Sequence, residues 1–164
     1  MTKTALNHVS VVASDLEESV AFYEEVFGME RIPSPNFSFE AEWLEMDNHQ
    51  LHLFDLDVEA PTYHHFGVLV DDLEAVYQEA KARGALTDFI DDEDSPRMYI
   101  LPDNALQMYV EDPDGNVIEV NWPDVDTLDE EIHEQLTDRE TIRPQTGEAA
   151  ESSLGLDRFD LVEK

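Results

Sequence analysis

Two histidines carry the first chemical signal in this chain. His8 stands in Leu6-Asn-His-Val-Ser-Val-Val-Ala-Ser-Asp-Leu16, and His65 in Thr62-Tyr-His-His-Phe-Gly-Val-Leu-Val-Asp-Asp-Leu73. Each is followed, seven residues on, by an aspartate and then Leu-Glu, so the same phrase occurs twice. An imidazole is a metal ligand or a proton carrier near neutral pH. The chain has no cysteine, which excludes thiolate sites, disulfides and cysteine nucleophiles. Any metal must therefore be held by histidine and carboxylate.

The elements that would position these histidines repeat as well. Residues 5–13 are rich in valine, as in a strand buried on both faces. Ser14 with Glu17 three residues later reads as a capping box. Leu16, Val20, Phe22, Tyr23 and Phe27 follow at helical spacing, and Gly28 ends the helix. Strands are expected at 29–32, 37–46 and 50–56, with His49 in the turn before the last. The second half reads as a strand at 64–70, a helix at 72–83, strands near 97–101 and 105–111, the turn Asp112-Pro-Asp-Gly115, and a strand at 116–121. The fold class is thus α+β, two βαβββ modules at 4–58 and 62–123. Residues 124–164 form an acidic extension, its apolar Leu154, Leu156, Phe159 and Leu161 suited to docking on the body or a partner, with a disordered tail as the alternative. Superimposing the last strands sets Gln50-Leu-His-Leu-Phe54 over Val117-Ile-Glu-Val-Asn121, with His52 opposite Glu119. Each half then offers one candidate ligand in its first strand and one in its last.

Those two strand starts, Phe22-Tyr23-Glu-Glu-Val-Phe-Gly28 and Asp112-Pro-Asp-Gly-Asn-Val-Ile-Glu119 together resemble the vicinal oxygen chelate superfamily, the group of glyoxalases, bleomycin-resistance proteins and extradiol dioxygenases. The resemblance covers roughly residues 4–122. It implies paired modules curled around a cleft, commonly in a homodimer, and a divalent metal at the positions held here by His8, His52, His65 and Glu119. Three imidazoles and a carboxylate suit Fe, Ni, Co, Mn or Zn, and suit Mg or Ca poorly.

Coordination number separates the reactions. Four protein ligands leave an octahedral metal two open positions, enough to chelate an enediolate in lyase or isomerase chemistry. Extradiol cleavage needs a third for O₂, so it requires His8, His65 and Glu119 alone. Glyoxalase I and its close relatives usually carry Glu or Gln where this chain has His52. That difference leaves Glu119 as the one ligand carboxylate able to move a proton, and hence the candidate catalytic residue. The first expectation is a glyoxalase-type lyase or isomerase acting on a small vicinal dioxygenated substrate. An Fe(II) extradiol-type dioxygenase and a metal-free ligand-binding resistance protein are the alternatives. Trp43, Phe54, Tyr99 and Met108, with Tyr109, are candidates for lining the cleft. Arg97 and Arg31 stand out as cations that would pair with a substrate carboxylate or with local acids. Glu45, on a neighbouring strand, is a candidate for a second base, with a surface glutamate of a salt-adapted protein as the alternative.

The charge balance narrows the partners. Forty acidic residues against nine basic give a formal net charge of −31. That argues against nucleic acids and anionic membranes, which need a basic footprint. No apolar run is long enough to span a bilayer, and the first residues lack a signal-peptide layout. Self-repulsion at this density is relieved in molar salt, where the Debye length falls to roughly 3 Å. The expectation is a salt-adapted cytoplasmic protein.

Overall fold

The structure, a computed structural model, describes residues 5–61, 63–88 and 98–156. The chain divides into two compact units, Met1–His64 with Asp112–Asn116, and His65–Glu111 with Val117–Lys164. Arg97, the acidic run 91–94, Phe159 and Leu161 lie outside the described residues.

In the first unit, strand β1 (His8–Ala13) leads into helix α1 (Leu16–Phe27), followed by β2 (Glu30–Ile32), β3 (Ala41–Met46) and β4 (His49–Asp55). The sheet order is β1-β4-β3-β2, with β1 parallel to β4 and the other pairs antiparallel. Helix α1 starts one residue later than the capping-box reading. Asp15, not Ser14, is the N-cap, its carboxylate accepting the Glu18 N–H at 3.1 Å. A charged acceptor at the positive end of the helix outcompetes a hydroxyl. The Ser14 N–H goes instead to Asp114 Oδ1 at 2.8 Å. Gly28 closes the helix in the left-handed region (φ 63°), where a Cβ would be strained. Three expectations shift at the edges: β1 is buried only at Ala13, β3 begins after Phe37 and Phe39, and His49 opens β4.

The turn Asp112–Asn116 packs into this unit through a dense polar cluster. Asp112 is buried; its Oδ1 accepts the N–H groups of Asp114 (3.0 Å) and Asn116 (2.8 Å). Its Oδ2 accepts from the Tyr23 hydroxyl (2.9 Å) and Asn116 Nδ2 (2.8 Å). Asn116 Nδ2 also donates to the Val12 carbonyl, and Asp114 takes the Ser19 hydroxyl at 3.0 Å. The sequence signal of that turn is therefore an internal staple as well as a reversal.

The second unit holds β5 (His65–Leu69), α2 (Leu73–Arg83), β6 (Leu86–Thr87), β7 (Met98–Ile100), β8 (Leu106–Glu111) and β9 (Val117–Trp122). Asp72 caps α2 as Asp15 caps α1, accepting the Ala75 N–H at 3.0 Å. The two-residue β6, which pairs with β8, is an addition to the expected order. Leu73, Tyr77 and Ala80 from α2 and Leu106, Met108, Val110, Ile118 and Val120 from the sheet are all buried. Each large apolar side chain so buried stabilises the fold by about 1.5–3 kcal/mol.

The segment after Pro123 docks. Val125 and Ile132 are buried, α3 (Glu130–His133) is tied by Glu131 to Lys81 at 2.7 Å, and β10 (Leu136–Asp138) adds parallel to β7. The sheet then reads β10-β7-β8-β9-β5, and α4 (Arg139–Ile142) follows. The architecture is α+β with open, mixed sheets. Among the described residues no helix is long and apolar enough to cross a membrane.

Candidate metal centre

The internal repeat is visible in strand register. In the first unit His8 lies opposite Gln50 and Ser10 opposite His52. In the second, His65 lies opposite Val117 and Gly67 opposite Glu119. Both candidate pairs thus span a parallel strand pair with the same two-residue offset, and side-chain alternation puts each pair on one face. Among the described residues no group of three or more His, Asp or Glu stands close enough to hold a metal ion. The four candidates come two to each unit.

In the second unit His65 Nε2 lies 3.3 Å from Glu119 Oε2. Two donor atoms at that separation, each about 2.1 Å from one metal, subtend roughly 100°, between octahedral and tetrahedral angles. The donor set fits a divalent transition metal. The Glu119 carboxylate is buried and held by three donors. Gln107 Nε2 (2.9 Å) and the Tyr109 hydroxyl (3.2 Å) reach Oε2, and Asn121 Nδ2 (3.0 Å) reaches Oε1. Both lone-pair directions of Oε2 are then used and one of Oε1 is left, so a metal beside His65 would take Oε1 or displace the long Tyr109 contact on Oε2. Burial, and next the Glu119 charge, push the Tyr109 hydroxyl well above its usual pKa, so it stays a donor. The His65 ring meets Tyr109 edge-on at 6.0 Å.

The first unit's pair is arranged differently. His52 is sandwiched, its ring 4.0 Å from the Trp43 ring at 3° and 4.4 Å from the His8 ring at 14°. Its Nε2 meets Gln50 Oε1 at 3.0 Å, and His8 Nδ1 meets Asn7 Oδ1 at 2.7 Å. An amide oxygen only accepts, so those two ring nitrogens donate, and His8 Nε2 and His52 Nδ1 are the nitrogens left facing away from the amides. Burial first, and then nearby His8, hold His52 below its ordinary pKa. A metal lies close to the plane of an imidazole that binds it, about 2.1 Å from the nitrogen. Planes 14° apart and stacked at this spacing meet only at roughly 10 Å or more, so as stacked the two rings do not share one metal.

The cleft-lining candidates separate. Trp43 and Phe54 join an aromatic ladder with His52, extended by Phe37 and Phe39, which stack at 5.2 Å and are exposed. Trp43 Nε1 is buried without a hydrogen-bond partner among the described residues. Tyr99 is buried, and its hydroxyl donates to Asp88 at 2.5 Å. Met108 is buried on the face of β8 opposite to Gln107 and Tyr109, away from Glu119. Arg31 is spoken for by Glu17, in a bidentate pair at 3.0 and 3.1 Å. Gln107 escaped the sequence reading because its role depends on β8 lying beside β9, whereas Gln50 and Asn121 were placed on the faces of His52 and Glu119 by alternation but given no role. Arg139 escaped it because it lies beyond the repeat.

The chain matches the Glyoxalase/Bleomycin resistance protein/Dioxygenase superfamily over residues 5–120, and it belongs to that family. It is 33% identical over 125 residues to the uncharacterized protein YwbC of Bacillus subtilis, covering 70% of this chain and 94% of that one. It is also 33% identical over 114 residues to a probable trivalent organoarsenical cleaving enzyme of the same organism, covering 66% and 73%. Among solved structures it is similar to a putative glyoxalase family protein from Bacillus anthracis, with 28% identity, a TM-score of 0.57, and coverage of 74% of this chain and 96% of that one.

Proposed function

We propose that this chain is a metal-dependent enzyme whose small substrate chelates a divalent transition metal through two neighbouring oxygens; the second unit's His65 and Glu119 would hold that metal, and the family resemblance implies His8 as the third ligand. The metal would polarise the chelated oxygens and leave a third open position for a small co-reactant. The observation that carries this reading is the Trp43–His52–His8 stack, which keeps His52 off a metal bound by His8. A two-histidine, one-carboxylate set with three open positions favours an Fe(II) extradiol-type dioxygenase over an isomerase. The aromatic ladder from Phe37 and Phe39 to His52 suits a planar substrate ring. The chain's own residues would act by positioning: Gln107, Tyr109 and Asn121 hold the Glu119 carboxylate, and their grip weighs against its leaving the metal to carry a proton.

The glyoxalase-type lyase or isomerase is the second reading, favoured by the bare His52 Nδ1. A turn of that ring out of its stack would supply the fourth ligand. One relative's name gives cleavage of a trivalent organoarsenical; this chain has no cysteine thiolate with which to hold such a soft centre. We read the assembly as a homodimer adapted to high salt, and light scattering in 0.2 and 2 M KCl tests both points.

The deciding experiment loads the purified chain anaerobically with Fe(II) and offers catechols with and without O₂. Oxygen uptake with ring-cleaved product is expected. Metal-dependent hydrogen–deuterium exchange beside the carbonyl of an α-hydroxyketone, without oxygen uptake, would move the assignment to the lyase or isomerase. Retention of no metal would sink both enzyme readings.

A further inference from the structure

Arg139 lies outside the stretch that matches the family, in the segment that follows the second repeat. It opens α4 directly after β10, whose residues Leu136 and Asp138 lie opposite Met98 and Ile100 of β7. That added strand sets the guanidinium against the sheet. Its carbon sits 4.0 Å above the Tyr99 ring, and Nη2 donates to Gln107 Oε1 at 2.6 Å. Gln107 Nε2 donates onward to Glu119 Oε2 at 2.9 Å. Arg31, Lys81 and Arg83 each pair with a carboxylate in this acidic chain. Arg139 is spent on a neutral amide instead.

The choice has a physical consequence. A guanidinium has donors only, so the amide must turn its oxygen toward Arg139. Its NH₂ then faces Glu119. The flipped amide would set NH₂ against the cation and its oxygen against the carboxylate, two repulsive contacts at once. Tyr99 keeps the cation in place from the other side.

We propose that Arg139 is a positioning residue that fixes the Glu119 carboxylate through Gln107, making the C-terminal extension part of the candidate metal centre. This rests on the reading of Glu119 as a metal ligand. Outer partners of this kind orient a ligand, and their loss weakens metal binding by about 10–100-fold.

The test titrates Mn²⁺ into the full chain, followed by the EPR signal of the free ion, and records the Gln107 side-chain amide by NMR. Arg139→Met is expected to weaken Mn²⁺ binding by about 10-fold and to release the Gln107 amide to faster exchange. Arg139→Lys, also a pure donor, should restore most of both. Gln107→Leu should match Arg139→Met, and the double variant should be no weaker than Gln107→Leu alone. Arg139→Gln serves the same comparison if the methionine variant does not fold. Mn²⁺ affinity within two-fold of wild type, an unchanged Gln107 amide, or losses that add in the double variant would overturn the proposal. If the wild-type chain binds no Mn²⁺, the metal reading falls, and the Gln107 amide alone decides: held in Arg139→Met, the relay is wrong; released, it stands.

Discussion

The two units use one register for two different pairs. His8 and His52 straddle β1 and β4 as His65 and Glu119 straddle β5 and β9, each with the second residue two places beyond the first one's partner. In the first unit the pair is two rings face to face, walled by Trp43, with burial holding His52 below its ordinary pKa. In the second it is a ring beside a carboxylate gripped by three polar donors. The repeated backbone settles where a side chain stands; the residue at one position of the last strand settles what it does. Where the chain has a carboxylate, the surrounding sheet supplies amide and hydroxyl donors. Where it has an imidazole, the sheet supplies Trp43 and a glutamine that fixes the tautomer.

The sharpest way to break that contrast is to remove each last-strand residue in turn. Glu119→Gln should lower Mn²⁺ affinity by more than about 100-fold, since a ligand counts for at least as much as the partners that orient it. His52→Gln should change it by less than about 3-fold if the stack, not the metal, is its place. Equal losses would make His52 a ligand, and the lyase or isomerase reading would lead. Stability gives the next largest effect. Asp112→Asn places an NH₂ among the donors now satisfied by the buried carboxylate, and should cost about 3 kcal/mol in urea unfolding.

What the amino-acid sequence alone disclosed followed from short-range physics. The Asp-Leu-Glu phrase, helical spacing through Tyr23 and Tyr77, and the Asp112–Gly115 turn are local signals, and they located both helices, most strands and the paired candidates. The N-cap slipped by one residue because Ser14 and Asp15 are both good caps, and a long-range bond to Asp114 decided between them. Gln107 was illegible because it lies 12 residues from Glu119 and meets it only once β8 and β9 pair, whereas Asn121, two residues on along β9, shares the Glu119 face by alternation alone. Met108 looked like a site residue on the same strand, but alternation turns it to the other face. Arg139 was harder still, since no repeat or motif points at it and only the added strand β10 brings it to Gln107.

The aromatic side of the contrast predicts a smaller change. His52→Ala removes a ring stacked on both faces and should cost about 1 kcal/mol beyond the lost area. Trp43→Phe keeps an apolar face against His52 and deletes an indole N–H that has no partner among the described residues, so the two effects oppose. Its unfolding free energy should stay within about 1 kcal/mol of wild type. A loss above that would mean the indole N–H has a partner after all.

The smallest effect separates two carboxylates of the first unit that titrate in opposite directions. Glu17 is exposed, and its hydrogen bonds with Arg31 hold it below the ordinary glutamate value. Its stabilisation is therefore present above the unfolded value of 4.5 and is lost as pH falls through the lowered folded one. Asp112 is buried, and desolvation raises it despite the hydrogen bonds that pull it down. Its ionised form is thus a cost to the fold above the raised value, relieved as pH falls through it. Arg31→Ala should remove only the first of these slopes. Because the pair is exposed, salt screens it, and the variant should be indistinguishable from wild type in 2 M KCl. A variant that loses stability equally in dilute buffer and in 2 M KCl would show that the Arg31 stem packs against the sheet, and that its charge is incidental.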